Sequence, residues 1–136
     1  MLDKAIYVGL SSRSNAEAVR QLQSMLEKFG YQVHGVQVGD FLHLKSAVTR
    51  LDSDTLLVNP AWVDPSVFGK FQIVEVAPSE PTAANILVVG GTGIYPDAFP
   101  GTQARIQAHG ARLLTLDVSE IAKAEGAVTC CSLILA

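Results

Sequence analysis

The sequence lacks three features, each of which would have placed it in a particular setting. It has no basic run: its 10 lysines and arginines are dispersed among 13 acidic residues, for a formal net charge of −3. That balance speaks against a nucleic-acid partner, which needs clustered cations to neutralise phosphates. No apolar run approaches the roughly 18 residues of a membrane span, so no membrane partner is expected. The only 2 cysteines are adjacent, Cys130 and Cys131, and an adjacent pair builds no disulfide framework. A reducing, cytoplasmic setting is expected, and the opening Met1-Leu2-Asp3-Lys4 carries no signal-peptide pattern.

What is present is a core. Hydrophobic residues make up 49% of the 136 and charged residues 17%, the balance of a globular chain and not a disordered one. The length suits one domain spanning 1–136.

Local patterns divide the chain into short units. Ala5–Leu10 alternates as a strand. Ser14 and Glu17 form a capping box ahead of a helix over 15–29, with Ala18, Leu22, Met25 and Phe29 on a core-facing stripe and Gly30 as its stop. A strand follows over 31–38. Residues 42–49 alternate again, with Leu42, Leu44 and Val48 on one side and His43, Lys45 and Ala47 on the other. Asp52–Asp54 is a turn leading to a hairpin arm over 55–58. Asp64-Pro65 opens a short helix, and a strand covers 72–77. The same order recurs as a strand at 84–89, a glycine turn at 90–93, a short strand at 94–95, a helix over 100–109 and a strand at 111–116. A strand–strand–helix–strand unit thus appears twice, and the segment 5–38 reads as a third unit without its first strand. The expected class is α/β (α+β in its segregation), a stack of about two and a half such repeats. Exposed repeat ends call for a covering partner, so self-association is expected.

A last helix at 119–125, capped by Ser119, leads to an apolar stretch, 125–136, that reads as a buried strand. On a strand the side chains of Cys130 and Cys131 point to opposite faces. Read from residues alone, a cysteine in such a strand is core filler, and a single histidine such as His43 is a hydrogen-bonded residue of no chemical role. Arg13 equally reads as an ordinary surface cation. His34 and His109 read as surface residues.

Three segments taken together point further. Tyr7-Val8-Gly9-Leu10-Ser11-Ser12-Arg13-Ser14-Asn15, Phe41-Leu42-His43-Leu44-Lys45-Ser46-Ala47 and Gly126-Ala127-Val128-Thr129-Cys130-Cys131-Ser132 resemble, in order and spacing, the C-terminal half of the dimethylarginine dimethylaminohydrolases. Those enzymes belong to the guanidine-modifying amidinotransferase, or pentein, superfamily. The resemblance implies an incomplete α/β-propeller of ββαβ repeats and a C–N hydrolase converting methylated arginine to citrulline and an amine. It implies Cys130 as the nucleophile that forms a thiouronium intermediate, with Cys131 in the core. It implies His43 as acid and then base, Arg13 as the grip on the substrate carboxylate, and Ala124 as a backbone contact to substrate. No metal or other cofactor is implied. The partner would be an arginine-like small molecule.

The resembling enzymes also carry an acid-Gly-Gly-Asp segment just ahead of the Tyr7–Asn15 motif, used to hold the guanidinium. Asp3 is an isolated acid, and Glu75, Glu80, Asp117 and Glu125 match no guanidinium-binding position. The expectation is that the missing carboxylates come from a complementary chain bearing the N-terminal half or from another copy. The alternative is a catalytically incomplete half-propeller that self-associates and at most binds arginine-like ligands.

Overall fold

The computed structural model describes residues 2, 4–39 and 41–134. Two compact units make up the chain, Met1–Leu44 and Lys45–Ala136. Asp3 and the last two residues lie outside the described residues.

The first unit is a strand–helix–strand. β1 (Ala5–Leu10) pairs in parallel with β2 (Gln32–Gln37), from Ala5 opposite Gln32 to Leu10 opposite Gln37. Between them runs α1 (Ala16–Leu26), tightening into a 3-10 turn at Glu27–Phe29. Gly30 ends it with φ +77°, a left-handed conformation that costs glycine little. The cap falls one residue later than expected: Asn15, not Ser14, accepts the Ala18 N–H at 3.0 Å. Ser14 is instead held by its carbonyl, which accepts the Ser11 N–H at 3.0 Å. The expected core stripe of α1 is also overturned. Met25 is 65% exposed and Phe29 58%, Ala18 is exposed, and no residue of α1 is buried. Periodicity marks an apolar face but not what covers it, and a two-stranded sheet offers little area. Gln23 ties the helix to β2: its amide donates to the Tyr31 carbonyl at 3.2 Å and accepts the Val33 N–H at 2.7 Å.

The second unit holds the two expected strand–strand–helix–strand repeats. In the first, β3 (Val48–Arg50) runs antiparallel to β4 (Thr55–Val58), which pairs in parallel with β5 (Gln72–Glu75) after a 3-10 turn at Pro65–Phe68. Asp64 caps that turn, accepting the Ser66 N–H at 2.9 Å. In the second repeat, β6 (Leu87–Val89) is antiparallel to β7 (Thr92–Pro96), and β7 is parallel to β8 (Arg112–Leu116) after α2 (Pro100–Ala108). Gly90 and Gly91, both at positive φ, close the β6–β7 hairpin in a form that L side chains resist. Leu51, Leu57, Val76, Ala83, Ala84, Ile86, Tyr95 and Ile106 form one core shared by both repeats. The Tyr95 hydroxyl donates to the Ala83 carbonyl at 2.7 Å, and burial raises its pKa above the usual tyrosine range.

Three further expectations are corrected. Residues 42–47 are not a strand: a 3-10 turn occupies Leu44–Ser46, and pairing begins only where Val48 meets Val58. His43 therefore lies in a connecting segment and on no strand face. α3 (Ser119–Lys123) is not capped by Ser119; Asp117 accepts the Ser119 N–H at 2.7 Å, and this bond lowers the Asp117 pKa. Most consequentially, the expected terminal strand is absent from the described residues. Residues 128–131 form a turn, and 132–134 are irregular. In the turn the N–H groups of Ala127, Thr129 and Cys131 find local or side-chain partners instead of a ladder.

α2 has no side-chain cap from its own N-terminus, where Phe99 and Pro100 supply none. Glu80 does it from a distance, its two oxygens accepting the N–H groups of Gly101 at 2.8 Å and Thr102 at 2.7 Å. Burial pushes the Glu80 carboxyl up, but these bonds and the nearby Arg105 outweigh it and hold the pKa below the ordinary value. Glu80→Ala should lower stability by about 1 kcal/mol, read by urea denaturation. Asp52 behaves alike: burial opposes its charge, while bonds from Asp54, Thr55 and His109 bring it down to about 2. A carboxyl with a depressed folded-state pKa stabilises the fold above its unfolded value. The urea midpoint should thus hold down to about pH 4 and fall as pH drops toward 2. His109→Ala should soften that acid limb.

Candidate functional site

The first unit carries Arg13 and His43. Both side chains are exposed, each on a loop next to β1 in space or sequence. Ser11, at the end of β1, joins the two loops. Its hydroxyl accepts the Arg13 N–H at 3.1 Å and donates to the Leu42 carbonyl at 3.2 Å. Gly9 permits the close approach, since a Cβ there would stand 3.2 Å from the Leu44 Cβ. Arg13 and His43 are therefore brought onto linked segments, although they lie 30 residues apart in sequence. His34, exposed as expected, stacks on Tyr7 with ring centroids 5.1 Å apart.

The second unit carries Ala124 and Cys130. The C-terminus of α3 unwinds through Ala124, and Glu125 adopts φ +56°, unusual for a residue with a Cβ. The Gly126 N–H donates to the Ile121 carbonyl at 3.0 Å. Gly126 admits no side chain, because a Cβ would lie 2.6 Å from Ile121 Cγ2 and 3.0 Å from Cys131 Sγ. The chain then turns. Cys131 N–H donates to the Ala127 carbonyl at 3.1 Å, and Ala127 N–H donates to Cys130 Sγ at 3.0 Å. Val128 is buried under the turn, while both cysteines are exposed. Cys131 is thus not a core residue, and the two thiols do not face apart: their sulfurs are 3.9 Å from each other. The Cys130 thiol beside it raises the pKa of Cys131. A thiol exposed at a turn with a backbone N–H on its sulfur is accessible to a reagent, and is not core filler.

Sequence reasoning missed one residue that bonds to this turn. Asn85 is buried, and its oxygen accepts the Thr129 N–H at 3.1 Å while its amide donates to Thr129 Oγ1 at 2.9 Å. The signal was there, as a lone amide in the apolar run 84–89 that a strand interior would have to satisfy.

Among the described residues no group of three or more His, Cys, Asp or Glu side chains could hold a metal ion, and no helix is long and apolar enough to cross a membrane.

No protein-family model matches the chain. It is 36% identical over 133 residues to the N(G),N(G)-dimethylarginine dimethylaminohydrolase of Pseudomonas aeruginosa, covering 98% of this chain and 52% of that protein. A cysteine-to-serine mutant of the dimethylarginine dimethylaminohydrolase from Pseudomonas aeruginosa, solved in complex with citrulline, superposes with a TM-score of 0.85 at 35% identity, over 95% of this chain and 51% of that one. Over nearly its whole length the chain is similar to the dimethylarginine dimethylaminohydrolase/pentein superfamily. Its strand–strand–helix–strand repeats match the pentein fold. An amidinotransferase of saxitoxin biosynthesis from Microseira wollei shares that fold at a TM-score of 0.85 and 19% identity, over 96% of this chain and 44% of the other. The chain spans about half the length of the superfamily members it matches.

Gly126→Ala tests the turn. The added Cβ should disrupt the 126–131 segment at a cost of about 1–3 kcal/mol, with faster hydrogen exchange at the Cys131 amide. Unchanged exchange there would show that Ile121 yields instead.

Proposed function

We propose that the chain provides the nucleophile-bearing portion of a guanidine-directed C–N hydrolase acting on methylated arginine. The Cys130 thiolate attacks the central guanidinium carbon, forming a C–S bond. The C–N bond to the departing amine then breaks, and His43 supplies the proton that the amine carries away. In the second step His43 takes a proton from water, the hydroxide adds to the thiouronium carbon, and the C–S bond breaks to release citrulline and regenerate the thiolate. Arg13, a planar two-pronged donor, pairs with the α-carboxylate of the substrate, and backbone groups at Ala124 meet the substrate as well. Neither a metal nor another cofactor is needed, because sulfur and imidazole carry both half-reactions.

The observation that most supports this reading is the Cys130 thiol itself, exposed on a turn with the Ala127 N–H on its sulfur. The similarity to dimethylarginine dimethylaminohydrolases over 98% of the chain supports the reaction class.

Four of the chain's carboxylates are already engaged within the fold, which favours a partner as the source of the guanidinium-binding acids. Asp52 is bound to His109, Glu80 caps α2, and Asp64 and Asp117 cap their own turns. Acids so engaged are poor candidates for holding a guanidinium. We read residues 1–136 as the C-terminal half of the propeller, completed by a polypeptide bearing the N-terminal half or by another copy, in the cytoplasm. A second reading is that the assembled halves only bind arginine-like molecules. The apolar exposure favours self-association in either case: Met25 and Phe29 in the first unit, Leu114 at 58% in the second.

Citrulline release from N,N-dimethylarginine tests the proposal, with the chain alone and mixed with a polypeptide matching the remaining length of its relatives. The expected result is turnover in the completed assembly, abolished by Cys130→Ser and reduced about 100-fold or more by His43→Ala. Arginine-like ligand binding without citrulline from any mixture would favour the binding-only reading.

A further inference from the structure

Among the described residues, Asn85 is the one buried amide that bonds to the turn carrying Cys130, and its oxygen and nitrogen are both engaged. Its oxygen accepts the Thr129 N–H at 3.1 Å. Its nitrogen donates to Thr129 Oγ1 at 2.9 Å and to the Lys45 carbonyl at 3.2 Å. Thr129 immediately precedes Cys130, so a single side chain grips both the backbone and the hydroxyl of the residue next to the thiol. Asn85 is itself held. Thr49 Oγ1 donates to the Ala84 carbonyl at 2.7 Å and accepts the Ile86 N–H at 3.1 Å, fixing the residues on either side of Asn85.

We infer that Asn85 is a positioning residue for the Cys130 nucleophile. It holds Thr129 so that the turn closes through Cys131 N–H to the Ala127 carbonyl and sets the Ala127 N–H on the Cys130 sulfur. Asparagine suits the task because one short side chain supplies an acceptor and two donors together. An aspartate lacks the donors, and would set a carboxylate against the Lys45 carbonyl. A leucine would leave the Thr129 N–H buried without a partner. The role of Cys130 as nucleophile rests on the function proposed above; the hold of Asn85 on the turn does not.

The test uses the full chain with Cys131→Ser, so that one thiol reacts. Hydrogen exchange at Ala127 and at position 131 is read alongside the rate of Cys130 alkylation by iodoacetamide, with exchange at Leu57 in β4 as the folding control. Neither amide bonds to Asn85, so their protection reports the turn and not the lost contact. Asn85→Ala should cut their protection about tenfold or more and change the alkylation rate at least about threefold, with Leu57 unaffected. Thr129→Val, which removes only the hydroxyl and keeps the volume, should move both readouts the same way by less, and serves if Asn85→Ala does not fold. Unchanged protection at Ala127 and at position 131 in a folded variant overturns the inference. If protection falls but the parent's Cys130 reacts no faster than a thiol in an unfolded peptide, the positioning stands and the nucleophile assignment fails.

Discussion

A buried polar group must find a partner, and in the second unit this constraint runs without a break from a strand to the turn that carries Cys130. Thr49 lies on β3 with its hydroxyl inside the protein, where an unpaired oxygen would be costly. It bonds the backbone of Ala84 and Ile86, joining the first repeat to the entry of β6. That contact fixes the residue between them, Asn85, whose amide then fixes Thr129. The residue that precedes Cys130 is thus held by a side chain 44 residues earlier in the chain, just ahead of β6.

The same constraint explains why the end of the described chain is a turn and not a strand. The apolar, β-branched composition of 126–134 favours a strand, and local propensity is a weak vote. Once Asn85 takes the Thr129 N–H and Ala127 bonds to both cysteine residues, the backbone has no need of a neighbouring ladder. Exposure follows from that geometry. Both sulfurs end up on the same side of a turn, where a strand would have separated them.

Helix capping shows a parallel division of labour. Asn15 and Asp64 cap the elements they immediately precede, using bonds of short reach. Glu80 caps a helix 20 residues away and links the end of the first repeat to the start of α2. Its partner Thr102 also accepts the Ala77 N–H, so the cap is part of the junction between repeats.

Most of the repeat order was legible in the sequence, because strands with their turns, Gly30, Gly90-Gly91 and Gly110 as stops, and Asp64-Pro65 as a start all act over a few residues. The family was legible too, through three short motifs around Arg13, His43 and Cys130. The sequence by itself determined where those chemically capable residues stand along the chain and which repeats carry them. Only the tertiary structure decided that Cys130 and Cys131 share a turn, that His43 sits on a connecting segment bound through Ser11, that the α1 stripe stays uncovered, and that Asn85 holds the thiol's neighbour. Each of those outcomes depends on a partner distant in sequence, and a residue pattern records a preference for burial or bonding without recording who satisfies it.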